Sequence, residues 1–170
     1  MKSNLIKFLL FVFLGMVYLN FSFAEEQFKF NITEIEIIDD GNLIVGSKSG
    51  KAETNDGYKI FAENFVYNKS KNILNVAGNV KFINKNDNFI IFADKATYLK
   101  NEEIVFTEGN SKAVDANNTI TASNFKFNKI KNIINADNNV RFFDKEKDTI
   151  IESDKATYLK NEEIVFTEGN

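Results

Sequence analysis

From Phe28 onward apolar and polar residues alternate along the chain. Leu74, Val76, Gly78, Val80 and Phe82 are two apart, separated by Asn75, Ala77, Asn79 and Lys81. Ile134, Ala136, Asn138, Val140 and Phe142 repeat the arrangement. A period of two puts one set of side chains on each face of a strand. Short polar segments bound the runs: DDGN at 39–42, TNDG at 54–57, NKSKN at 68–72, NKND at 84–87, and LKNEE at 99–103 and 159–163. Such residues favour turns, and gaps this short join antiparallel neighbours. The pattern predicts strands near 28–38, 43–53, 58–67, 73–83, 88–98, 104–114, 119–127, 133–143 and 149–158, with a last one opening at 164. No helical periodicity competes with them.

In alternate strands the parity of the apolar positions flips. Ile60 and Ala62 give way to Phe65 and Tyr67, and Ile91 and Ala93 to Ala96 and Tyr98. Ile120 and Ala122 give way to Phe125 and Phe127, and Ile151 and Ser153 to Ala156 and Tyr158. A strand changes parity only where a residue bulges out or the strand bends. A bend at one level in every second strand predicts V-shaped strands and a sheet folded along a line.

The chain is also repetitive. DKATYLKNEEIVFTEGN stands at 94–110 and, letter for letter, at 154–170, while 62–82 matches 122–142 at the same offset of sixty. A half-period near thirty aligns Tyr67, Tyr98, Phe127 and Tyr158, then Ile73, Ile104, Ile133 and Ile164, then Gly78, Gly109, Asn138 and Gly169. A unit that cannot bury its apolar face alone does so by stacking on its neighbours, so this period indicates a repetitive all-β architecture.

One face of the folded sheet collects Ile60, Phe65, Tyr67, Leu74, Val76, Val80, Phe82, Ile91, Tyr98, Val105, Phe125, Phe127, Ile134, Val140, Phe142, Ile151 and Tyr158. At about 1.5–3 kcal/mol per buried side chain these suffice to fold an export domain. Two readings stay open: a plain core, or a groove whose inner face is shared with a lipid.

Composition narrows the rest. Lys2 and Lys7, the apolar run from Phe8 to Phe21 and the Ser22-Phe23-Ala24 site read as a signal peptide over 1–24, leaving an exported domain over 25–170. Losing those two lysines takes the net charge from −3 to −5. The chain has no His, Cys or Pro. That removes the usual zinc ligands, thiol and His-assisted nucleophiles, and disulfides, and leaves every ladder uninterrupted. Lysines interleaved with acids give no basic stripe for nucleic acid. Carboxylates such as Glu102, Glu103, Glu162 and Glu163 fall in turns, where solvated charge is the ordinary reading. Neither an enzyme nor a cofactor is expected.

The segments IFADKATYLKNEEIVFTEGN and AENFVYNKSKNILNVAGNVKF resemble the OstA-like (organic solvent tolerance) repeat of the lipopolysaccharide-transport proteins LptA and LptD. Its apolar-x-Ala-x-Gly-Asn-Val element stands here as LNVAGNV at 74–80, INADNNV at 134–140, and EGN at 108–110 and 168–170. The resemblance spans 28–170. It implies an open-ended β-jellyroll of kinked antiparallel strands built from half-repeats of about thirty residues. It also implies periplasmic transport of lipopolysaccharide, with lipid A acyl chains shielded inside, and head-to-tail edge-strand pairing with other Lpt jellyrolls in a bridge between the membranes. An LptD N-terminal domain, associated with the outer membrane, and an LptA-type protein both fit. By comparison with 104–114, the strand opening at Ile164 is expected to continue past Asn170. A structural or adhesive exported β-repeat protein and a small outer-membrane β-barrel are the alternatives.

Overall fold

A computed structural model describes residues 27–84 and 88–169. The signal-peptide reading and most of the turn at 84–87 lie outside them. The described residues form eleven strands and no helix: β1 (Phe28–Ile38), β2 (Leu43–Thr54), β3 (Tyr58–Ala62), β4 (Asn64–Asn68), β5 (Ile73–Asn84), β6 (Phe89–Leu99), β7 (Ile104–Val114), β8 (Asn118–Asn128), β9 (Ile133–Asp144), β10 (Thr149–Leu159) and β11 (Ile164–Glu168). They make one antiparallel meander in chain order, in which β3 and β4 together fill a single strand position between β2 and β5. The strand predicted over 58–67 is thus two strands, interrupted at Glu63. There the backbone N–H of Glu63 turns to the carbonyls of Ala77 and Gly78.

Six ladders, β1–β2 and those from β5–β6 through β9–β10, shift register at one level near the middle of the strands. Ala77 pairs with Lys95 and Val80 with Ala93, so Gly78 and Asn79 together face Asp94. Asp137 pairs with Lys155 and Val140 with Ser153, so Asn138 and Asn139 face Asp154. Two residues opposite one is a bulge, which bends and twists its strand. The extra residue belongs to β2, β5, β7 and β9. The parity flip appears on their neighbours as two successive outward residues, such as Asp94 and Lys95.

The bulged pairs have left-handed backbones: Lys48 and Ser49 (φ 59 and 67), Gly78 and Asn79 (82 and 49), Gly109 and Asn110 (74 and 46), Asn138 and Asn139 (63 and 55). Glycine and asparagine tolerate this region best, which is why the Gly-Asn motif recurs at this level. A Cβ on Gly109 would also collide with the Asp94 carboxylate. Side chains bridge the crease, Asn79 Nδ2 donating to Glu63 (2.6 Å) and Asn110 Nδ2 to Asp94 (2.8 Å).

The crease divides the sheet into two leaves that close on each other. The first leaf carries the turns at 55–57, 115–117 and 145–148; the second carries those at 39–42, 69–72, 100–103, 129–132 and 160–163. Rings meet across the gap: Phe28 with Tyr67 (4.9 Å between centroids), Phe82 with Tyr98 (5.9 Å), Phe89 with Phe127 (5.1 Å) and Phe142 with Tyr158 (5.5 Å). The result is an all-β, V-stranded jellyroll whose core lies between the leaves.

Candidate functional site

The inner face is the apolar stripe expected from the alternation. Ile60, Phe65, Tyr67, Leu74, Val76, Val80, Phe82, Ile91, Tyr98, Val105, Phe125, Phe127, Ile134, Val140, Phe142 and Tyr158 are buried in one cluster. Ile151 is only partly buried, because β11 pairs with residues 155–159 of β10 and leaves 149–153 at an edge. Phe28, Phe89 and Ile120 join the cluster without having stood in the predicted columns. Phe89 follows a turn directly, so no alternating partner before it marks its face. Its depth comes from packing on Phe127 across the gap.

The interior is closed along its middle and open toward its ends. Ile35 and Ile37 pair with Gly46 and Ile44 and share their inner face, yet they are 47% and 60% exposed. At the other end Ile151 and Val165 are only partly covered. A concavity flanked by apolar side chains also lies on the outer face. It measures about 310 Å³ and is bordered by Val66, Thr97 and Phe106.

Where the free rims of the leaves meet, charge replaces apolar packing. Lys129, in a second-leaf turn, donates to Asp56 of the first leaf (2.9 Å) and to Glu103 and Tyr98 of its own leaf. Its side chain is 4% exposed, with the ammonium 4.0 Å from the Tyr58 ring centroid and 4.8 Å from that of Tyr98. Lys100 pairs with Glu103 and lies 4.0 Å from Asp56. Burial alone would raise the Glu103 carboxyl, but hydrogen bonds from Lys100, Lys129 and Tyr98 outweigh it and hold the group below its ordinary range. Asp56 is held low in the same way, burial being outweighed by Thr54 and Lys129. Burial, reinforced by Glu103, pushes the Tyr98 phenol up. Glu103, expected to be solvated, is therefore a half-buried member of an ionic cluster. One hairpin further on, Tyr158 donates to Asp115 (3.0 Å) and accepts from Asn118 (2.9 Å) across the gap.

Sequence reading missed this cluster because Asp56 and Lys129 are 73 residues apart. One signal was present. Lys69, Lys100, Lys129 and Lys160 open the four second-leaf turns that follow β4, β6, β8 and β10.

The profile of the OstA-like protein family matches residues 33–168. No curated protein matches the chain. Among solved structures it is similar to LptH, the LptA-homologous periplasmic component of the lipopolysaccharide transport device of Pseudomonas aeruginosa. That match has a TM-score of 0.59 and 14% identity, covering 65% of this chain and 81% of that one. It is a likeness of fold.

Proposed function

The chain belongs to the OstA-like family, and from that premise we propose that it is a periplasmic lipopolysaccharide carrier of the LptA type, holding acyl chains between its leaves. The observation that carries this reading is the continuous apolar interior, walled by two leaves and uncovered at both ends. A chain of about twelve methylenes costs about 10 kcal/mol to expose to water at ~0.8 kcal/mol per CH₂, so it must be shielded to cross an aqueous space. The residues named above, from Ile60 to Tyr158, would supply that shield. With the middle of the interior packed ring on ring, a ligand enters by parting the leaves rather than by filling a vacant cavity. The protein works as a carrier, without catalysis.

The edges give the second part of the proposal. Among the described residues, β1 has one neighbour and residues 149–153 of β10 have one, so both present backbone groups able to pair with another strand. Head-to-tail pairing through these edges with other jellyrolls of the transport system would extend the groove into a bridge between the membranes. A membrane barrel fits less well, because this sheet is apolar inside and polar outside, the reverse of a membrane-spanning barrel.

A photo-crosslinker tests the groove. Placed at Phe82 or Phe142 it should capture lipopolysaccharide, and placed at Lys81, on the outer face beside Phe92, it should not. Equal capture at both would make the stripe a plain core. The bridge is tested with Ile35→Pro, which removes a donor from the edge strand. It should weaken association in analytical ultracentrifugation while leaving the circular dichroism unchanged.

A further inference from the structure

The second-leaf turns stack on one another. The backbone N–H groups of Lys69, Lys100, Lys129 and Lys160 donate to the carbonyls of Asn42, Asn72, Glu103 and Asn132, the last residue of the preceding turn in each case. The lysines therefore stand in a column along one rim, one hairpin apart, or about 10 Å at the usual strand spacing. Three of them hold their ammonium groups over rings of the apolar interior. Lys100 lies 5.7 Å from the Tyr98 centroid, Lys129 4.0 Å from Tyr58, and Lys160 4.9 Å from Phe89.

Positive charge thus lines the lip of an apolar space, which is the layout that suits an amphiphile with an anionic head. In the closed molecule the deepest of these charges, Lys129, is neutralised from both sides. Glu103 belongs to its own leaf, whereas Asp56 reaches it from the opposite one. When the leaves part, Glu103 travels with Lys129 and Lys100, but Asp56 moves away with the first leaf. Two ammonium groups then face one carboxylate at a poorly hydrated rim. An ammonium that loses one of its two carboxylates gains from an anion in the vacated place.

Resting on the carrier reading above, we propose that Lys129 and Lys100 form the headgroup site for an anionic amphiphile, and that the Asp56 carboxylate holds that place until the ligand's phosphate replaces it. Asp56 is then a competitor as well as a pin. An apolar contact would hold two leaves together as well as a buried ion pair does, but it could not exchange with a ligand's charge.

The full-length protein would be titrated with phosphorylated lipid A, with its dephosphorylated form, and with inorganic phosphate alone. The wild type should prefer the phosphorylated lipid by about tenfold, as one charge-assisted contact allows, and should not bind inorganic phosphate. Lys129→Gln should abolish that preference while still binding the dephosphorylated lipid. Lys100→Gln, at a more open position, should reduce it. Asp56→Asn should tighten the phosphorylated lipid several-fold more than the dephosphorylated one, with circular dichroism confirming the fold of each variant. If the preference survives both lysine substitutions, or Asp56→Asn weakens both lipids equally, the headgroup site is refuted while the carrier reading stands. Binding of inorganic phosphate as tight as that of the lipid would make this a simple anion site and refute the exchange. If no variant binds either lipid, the carrier reading falls and takes the headgroup site with it.

Discussion

Residues 94–109 and 154–169 are the same peptide in two places, and the structure treats its two halves differently. Over Asp94–Glu102 and Asp154–Glu162 the copies agree in exposure residue by residue, since β6 and β10 are each covered by a strand on either side there. From the next residue they diverge. Glu103 is half-buried and Glu163 exposed; Val105 is 1% exposed and Val165 only half-buried. Thr107 is 2% exposed and accepts from the Phe125 backbone on β8, while Thr167 is open. Phe106 is 37% exposed against 57% for Phe166. The local conformation is nonetheless kept: Glu103 and Glu163 have φ of 54 and 56, Gly109 and Gly169 of 74 and 80. Sequence sets the shape of each half-repeat, and the neighbouring strand sets what that shape buries.

Paired substitutions put the contrast to the test. The largest effect belongs to Val105→Asp against Val165→Asp. An unpaired carboxylate at the first position should cost at least about 4 kcal/mol, and at the second less than about 1.5 kcal/mol. Urea midpoints would measure both, and equal losses would show that β11 is as well covered as β7.

The next effect is ionic. Glu103→Gln should cost about 2 kcal/mol, reduced from the value for a fully buried pair by partial solvent screening, and Glu163→Gln less than about 0.5 kcal/mol. Both Glu103 and Asp56 are held below their ordinary values in the folded state. A depressed folded pKa adds stability that is complete above the unfolded pKa and is lost as pH falls through the folded one. The wild type should therefore lose stability below about pH 4.5, the ordinary value for Glu. Glu103→Gln should flatten that acid limb.

The smallest contrast concerns the crease. Alanine at Gly109 meets both a left-handed backbone and the Asp94 side chain, for a loss of about 1 kcal/mol. Gly169 faces Asp154 with the same left-handed backbone, but β11 has one neighbouring strand among the described residues, so the same change should cost only a few tenths of a kcal/mol. A thermal shift of the same size in both variants would remove the distinction.

Apart from the break at Glu63 that divides 58–67 into two strands, the strands were legible in the sequence to within a residue or two, because alternation and turn chemistry agree at their ends. The crease was legible in part. The parity flips at 62–65, 93–96, 122–125 and 153–156 marked its level, but the strands with the extra residue hid it. Gly78 and Asn79 preserve the alternation of Leu74, Val76, Val80 and Phe82 while shifting register against β6. Glu103 read as an ordinary turn charge, Lys129 was not singled out, and nothing local reveals that Asp56 meets them from across the gap. That contact exists only after the sheet has folded over.

The bulge at the crease also bears on how so repetitive a chain finds one structure. A plain alternating strand can slip by two residues and keep its faces, and this chain holds copies similar enough to exchange partners at a distance of sixty. A two-residue slip would carry Gly78 and Asn79 away from Asp94, force side chains into left-handed positions and leave the crease unbridged. Each bulge thus works as a key that fits one lock on its neighbour. The key cannot tell Asp94 from Asp154, since both copies match it. That choice falls to chain entropy, because few residues separate β5 from β6 in the sequence, whereas β5 reaches β10 only by closing a loop some sixty residues longer. Refolding should then be dominated by adjacent hairpins, with swaps between the copies as its characteristic error.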